Sequence, residues 1–115
     1  MEPILDTINL DIFLRADIRI GKVVRSEPFP EALKPAIKLW IDFGSNIGIK
    51  KSSAQITENY SAEDLLLKQV CAVINFPPRQ IASFMSEVLV LGALGSKGVV
   101  LLVPDKDVIE GERVQ

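Results

Sequence analysis

"IKLWIDF", Ile37 to Phe43, alternates without a break: Ile37, Leu39, Ile41 and Phe43 are apolar, and Lys38, Trp40 and Asp42 stand between them. A period of two sends successive side chains to opposite faces of a strand, so the stretch reads as a β-strand with one face on a core and the other outward. Trp40 falls on the outward face, either as a stacking platform or as interface filler. Upstream, "DIRIGKVVRSEPF" (Asp17 to Phe29) reads as a longer strand whose alternation slips phase at Gly21. A glycine there marks either a bend or bulge that lets one strand serve two sheets, or a tolerated surface position. Downstream, "GSN" (Gly44 to Asn46) supplies turn chemistry before a third strand, "IGIKKSS".

Asn9 is placed to cap a short helical turn over "LDIFLR", and Ser61 with Asp64 resembles a capping box that opens the first helix of real length, "SAEDLLL". "QVCAVIN", "EVLVLG" and "GVVLLVP" complete the strand series, with "GALGSKG" as a loop between the last two. The pattern is that of a mostly β chain, a small barrel or a sandwich. Five or six strands with one short helix after the third fit a small OB-fold β-barrel. "CAVI", "VLVL" and "VVLLV" are apolar at both parities, although a small barrel buries only its inner face. The simplest cover is a second copy of the chain, so a homodimer is expected to bury Cys71, Val73, Val88, Val90 and Val100 across a two-fold axis.

A length of 115 residues predicts one domain, and 48% hydrophobic with 24% charged residues predicts a packed core and not a disordered tail. The net charge of −2 gives no general attraction for polyanions, so any nucleic-acid site has to be a local cluster. With no histidine and one cysteine, the usual zinc sites and the Ser-His or Cys-His nucleophilic arrangements cannot be assembled. No enzyme, metal or cofactor is expected. A lone Cys71, the absence of a signal-peptide core in the first twenty residues and the lack of any apolar run near the roughly 18 residues of a membrane span point to the cytoplasm.

The candidate binding residues stand at strand ends. Lys50, Lys51, Ser52, Ser53 and Gln55 follow the third strand, and Asn75, Arg79, Ser86 and Glu87 surround the prolines of "VINFPPRQIASFMSEVLVLG". Amides offer donors and acceptors together, and the arginine fork suits phosphate or carboxylate.

"DIRIGKV", "FPEALKPAIKLWIDFG", "IGIKKSSAQIT", "VINFPPRQI" and "SEVLVLG", in this order, resemble the CsaA family, stand-alone relatives of the tRNA-binding domain that is appended to some methionyl- and phenylalanyl-tRNA synthetases. The resemblance implies a single tRNA-binding-type OB-fold domain over residues 1–115 with an N-terminal dimerisation segment over about residues 1–16. It implies a homodimeric, non-catalytic chaperone that engages SecA and export-bound or unfolded polypeptides, with tRNA binding as the alternative. By position it carries over Lys50, Ser52, Ser53, Gln55, Asn75, Phe76, Arg79, Ser86 and Glu87 as the peptide- or tRNA-binding set. Leu33 and Met85 stand where relatives carry basic residues, which favours an apolar peptide over phosphate.

Overall fold

Ile18–Pro28 form β1, the strand on which the rest of the chain assembles; the computed structural model describes residues 2–115. A single helical turn, α1 (Leu10–Phe13), precedes it. After it come β2 (Ile37–Asp42), β3 (Ile49–Ala54), a second helical turn α2 (Ala62–Leu65), β4 (Gln69–Val73), β5 (Arg79–Ile81), β6 (Phe84–Ser86), β7 (Leu89–Val90), β8 (Gly92–Gly95) and β9 (Gly98–Leu101). The main sheet has the antiparallel order β3-β2-β1-β4-β7, and β5-β6 and β8-β9 are separate hairpins. The sheet curls until the free edge of β3 meets Ser86–Val88, where Lys51 O accepts from Glu87 N at 2.7 Å and Val88 N at 3.3 Å. The result is a mostly β, nearly closed five-strand barrel of the OB type.

The alternation in "IKLWIDF" is realised residue by residue. Ile37, Leu39, Ile41 and Phe43 are buried in the barrel interior with Val23, Leu65 and Val70, whereas Lys38, Trp40 and Asp42 are only partly covered. Gly21 is not a surface glycine. A Cβ there would come within 2.5 Å of Ile41 Cγ2 and 2.8 Å of the Phe43 ring, so the absent side chain lets β1 cross the barrel interior. The irregularity in the ladder falls slightly later, between Val23 and Arg25. Residues 18–22 of β1 pair with β4 and residues 22–28 pair with β2, so the strand serves two neighbours within one closed sheet.

The two-sided apolar strands are covered differently from the sequence-based expectation. Cys71 and Val73 face outward with Ile18 and Ile20, but the chain's own C-terminal segment lies over them, contributing Val108 and Val114. Three main-chain bonds hold that segment against β1: Gly111 N to Ile20 O at 2.7 Å, Ile20 N to Glu112 O at 3.0 Å and Val114 N to Ile18 O at 2.8 Å. Val88 belongs to the interior and Val90 packs against it. Only Val100 of that set is half exposed, near the equally exposed Leu102 and Val103 in sequence. Burial raises the Cys71 thiol above its ordinary range, which keeps it protonated and unreactive.

Four other expectations are corrected. "GALGSKG" is not a loop: Gly92–Gly95 is strand β8, paired with β9 around a tight Ser96–Lys97 turn. "EVLVLG" yields only the two-residue β7, because Gly92 packs so close to Val100 that the chain leaves β4 and joins β9 there. The helix at "SAEDLLL" is a single turn. Its capping box is complete, with Ser61 N donating to Asp64 Oδ2 at 2.9 Å and Asp64 N to Ser61 Oγ at 3.3 Å. Hydrogen bonds to the Asp64 carboxyl from the Ser61 main chain and then from its side chain hold that carboxyl below its usual range. Leu67, however, adopts a left-handed φ of 68° so that its N–H reaches Val23 O and the chain turns into β4. Asn9 stands at the N-cap of α1, but its carbonyl, not its side chain, accepts the first bond.

Gly21→Ala is expected to lower stability by about 1–3 kcal/mol, because a methyl group in a close-packed interior displaces Ile41 and Phe43. Thermal denaturation followed by circular dichroism measures this; an unchanged midpoint would mean that β1 has room to shift.

Candidate functional site

A groove of about 1080 Å³ opens at one end of the barrel. One wall is the loop after β1 (Glu31 to Lys34), the opposite wall is the β5-β6 hairpin with Phe76 and Pro77 before it, and the floor is the end of β3 with Ile56, Val88 and Val90. Leu94 and Val99 close the side formed by the β8-β9 hairpin.

A small satellite core positions both walls. Phe84 of β6 is buried edge-on against Phe29, with ring centroids 5.5 Å apart, and against Trp40 at 5.6 Å. Ala36, Ala32 and Ile81 complete this cluster, so the loop after β1 and the hairpin are pinned to the outer face of β2 by one aromatic side chain. Trp40 is therefore interface filler within the chain on its Phe84 side. On another side Arg25 lies over its ring, with Cζ 4.2 Å from the centroid.

The sequence-predicted residues divide into three groups. Gln55, Phe76 and Arg79 line the groove and are exposed. Ser53, Ser86 and Glu87 also line it, but each makes a bond that closes the barrel: Ser53 N donates to Ser86 Oγ at 3.0 Å, and Lys51 N donates to Glu87 Oε1 at 3.0 Å. Lys50, Ser52 and Asn75 do not line it. Ser52 is buried with its hydroxyl donated to Val88 O at 2.9 Å. The Asn75 amide is spent within the fold, accepting from Asp17 N at 2.9 Å and donating to Arg15 O at 2.7 Å. It ties the segment before β1 to the end of β4.

Other groove residues were not marked by the sequence. Gln80 and Ile81 line the hairpin wall, and Glu31, Lys34 and Leu94 line the rim. Leu33 lines the groove fully exposed, but Met85 sits on β6 and does not line it. The charges cancel on the rim, where Glu31 and Glu87 stand against Lys34 and Arg79. The large apolar groups Leu33, Phe76, Leu89 and Leu94 are half to fully exposed there.

Cations gather elsewhere. On the outer face of β1–β3, Arg25 covers Trp40, Lys38 Nζ lies 5.1 Å from the Phe29 centroid and Lys51 Nζ lies 5.2 Å from that of Phe84. Glu27 pairs with Arg25 and stands 3.9 Å from Lys38, so it neutralises part of this charge. Among the described residues no group of three or more His, Cys, Asp or Glu is arranged to hold a metal ion, and no helix is long and apolar enough to cross a membrane.

A family model described as "Putative tRNA binding domain" matches residues 18–113. The chain belongs to the tRNA-binding-domain family. Among solved structures it is similar to the chaperone CsaA of Bacillus anthracis, at 49% identity and a TM-score of 0.89 over 96% of this chain and 100% of that one. It is equally similar to the CsaA chaperone protein of Picrophilus torridus, at 50% identity and a TM-score of 0.89 over 95% of this chain and 100% of that one. Among curated relatives, the methionine–tRNA ligase of Porphyromonas gingivalis is 34% identical over 98% of this chain. The chain spans only 16% of that ligase's length, so the likeness is to one domain of it.

Asn75→Ala is expected to cost about 1–2 kcal/mol of stability by leaving Asp17 N and Arg15 O without their partner. Arg79→Ala, on the exposed groove wall, is expected to stay within about 0.5 kcal/mol of the parent. Urea denaturation of the two variants checks the division between scaffold and groove; equal losses would erase it.

Proposed function

We propose that the chain is a non-catalytic chaperone that holds unfolded or export-bound polypeptides in the groove. The observation that carries this reading is the rim: large apolar side chains stand exposed around a cavity whose charges cancel. An exposed apolar patch with a polar surround marks an interaction surface, and a neutral rim gives no attraction for phosphate. Gln55, Arg79 and Gln80 add hydrogen-bonding groups that suit a main chain. The likeness to two proteins described as CsaA chaperones supports the same reading.

The assembly proposed is a homodimer, in the cytoplasm, with SecA among its partners. Support for the dimer lies in apolar groups left without cover in the single chain. Ile4, Leu5, Ile8 and Leu10 of the N-terminal segment are more than half exposed, and Val100, Leu102 and Val103 are about half exposed. A stable homodimer of this kind buries over about 2,000 Å² and is expected to show twice the chain mass by light scattering at micromolar concentration. A monomer mass with native near-ultraviolet circular dichroism would count against it.

A second reading, structured RNA such as tRNA as ligand, is favoured by the family match and by the cations on the outer face of β1–β3. Salt separates the two. Phosphate contacts predict affinity falling with ionic strength by somewhat less than one log unit per contact, whereas capture of an apolar peptide is nearly flat. Leu33→Asp is expected to weaken binding of an extended apolar peptide about 5- to 30-fold, the loss of about 1–2 kcal/mol of apolar burial. Arg25→Ala with Lys51→Ala is expected to leave it unchanged. If the double variant instead abolishes tRNA binding while Leu33→Asp leaves peptide affinity untouched, RNA becomes the primary ligand.

A further inference from the structure

We propose that the groove captures its client as an added β-strand, with the main chain of an extended polypeptide pairing along the free edge of β5. The proposal rests on the polypeptide reading of the groove and specifies how that polypeptide is held. The β5-β6 hairpin pairs Arg79 with Ser86, Gln80 with Met85 and Ile81 with Phe84 around the two-residue turn Ala82–Ser83. In a hairpin with a two-residue turn the closing pair exchanges both main-chain bonds, and antiparallel pairs then alternate. Ile81–Phe84 is thus the bonded pair and Gln80–Met85 the non-bonded one. It follows that the N–H and C=O of Gln80 point away from β6, on the side where β5 has no neighbouring strand. Outside the strand ladders, no hydrogen bond among the described residues uses either group, although the Gln80 side chain donates to Ala82 O. An edge of this kind is a template for another chain, and here it forms a wall of the groove.

The occupant follows from the chemistry of the edge and the rim. Main-chain groups recognise any extended backbone regardless of sequence, while Leu33, Phe76 and Leu94 receive apolar side chains at the mouth. The two acidic groups Glu31 and Glu87 offset the two basic groups Lys34 and Arg79 along the lining, which suits a neutral main chain and offers nothing to a polyphosphate backbone. Pro77 and Pro78 stop the edge from lengthening, because proline donates no ladder bond. The pairing is therefore short and reversible, which suits a protein that must release its client.

The test uses the whole protein and a short apolar peptide, with fluorescence anisotropy as readout. Peptides N-methylated at single successive positions are expected to lose affinity by about fivefold or more at the one position whose N–H donates to Gln80 O, and to keep it at the positions on either side, because neighbouring residues of a strand point their main-chain groups the other way. On the protein side, Gln80→Pro removes the outward N–H without touching a hairpin bond, and is expected to weaken binding to a similar degree. Gln80→Ala retains the N–H, so it is expected to weaken binding less than the proline variant does. Should the proline variant fail to fold, the N-methyl series on the unaltered protein decides alone. If the parent peptide binds and tolerates methylation everywhere, strand addition is wrong and the polypeptide reading stands. If no apolar peptide binds, both are wrong.

Discussion

The barrel closes at one seam, where the edge of β3 meets Ser86–Val88, and the groove exists because of how that seam is made. A full ladder would continue the sheet and leave no opening. Here the main chain supplies only the pair of bonds to Lys51 O, and side chains supply the rest: Glu87 Oε1 for Lys51 N, Ser86 Oγ for Ser53 N and Ser52 Oγ to Val88 O. Among the described residues no buried side-chain nitrogen or oxygen is left without a partner, so the seam is irregular without being unsatisfied. Since β6 runs directly into the seam, fixing Ser86–Val88 also fixes where the β5-β6 hairpin leaves the barrel.

Phe84 then decides the angle at which that hairpin stands. Its ring is buried against Phe29 and Trp40, which belong to the loop after β1 and to the outer face of β2. Burying a phenylalanine contributes about 1.5–3 kcal/mol, and the edge-on aromatic contacts add to it. The two walls of the groove are thus held at a fixed separation by scaffold residues, while Leu33, Phe76 and Arg79 on the rim stay free of structural duty. Leu33, Phe76 and Arg79 make no side-chain bond that the fold needs, whereas Asn75, one residue before Phe76, spends its whole amide on holding Asp17 and Arg15.

This interleaving explains what the sequence revealed and what it hid. The interior phase of β2 and the capping box at Ser61 follow from local periodicity and short-range hydrogen bonds, which survive without knowledge of the fold, whereas the pattern left barrel and sandwich open and the family resemblance implied the OB type. The β5-β6 hairpin was hidden because two prolines precede it and an arginine opens it, and its turn uses Ala82 at a φ of 51°, where glycine is the usual marker. The cover over Cys71 and Val73 was hidden for a different reason. Apolarity at both parities says that an outer face is buried, but not by what, and the C-terminal segment that lies there is polar in most of its positions. Serine, asparagine and glutamate at strand ends read alike as ligands or as braces, and only the geometry separates Gln55 from Asn75.

Charge is distributed unevenly over the two surfaces. With a net charge of −2, the chain places its cations in two distinct settings. Arg25, Lys38 and Lys51 lie over aromatic rings on the outer face of β1–β3, where ring quadrupoles hold them in place. Lys34 and Arg79 stand on the groove rim opposite two carboxylates. Coulomb attraction between a cation and a distant polyanion is additive, so one carboxylate per cation at the rim cancels it there, while a single Glu27 among three cations on the outer face does not. Both surfaces rest on the buried cluster around Phe84, yet they present different chemistry to solvent: one neutral and apolar, the other basic and aromatic.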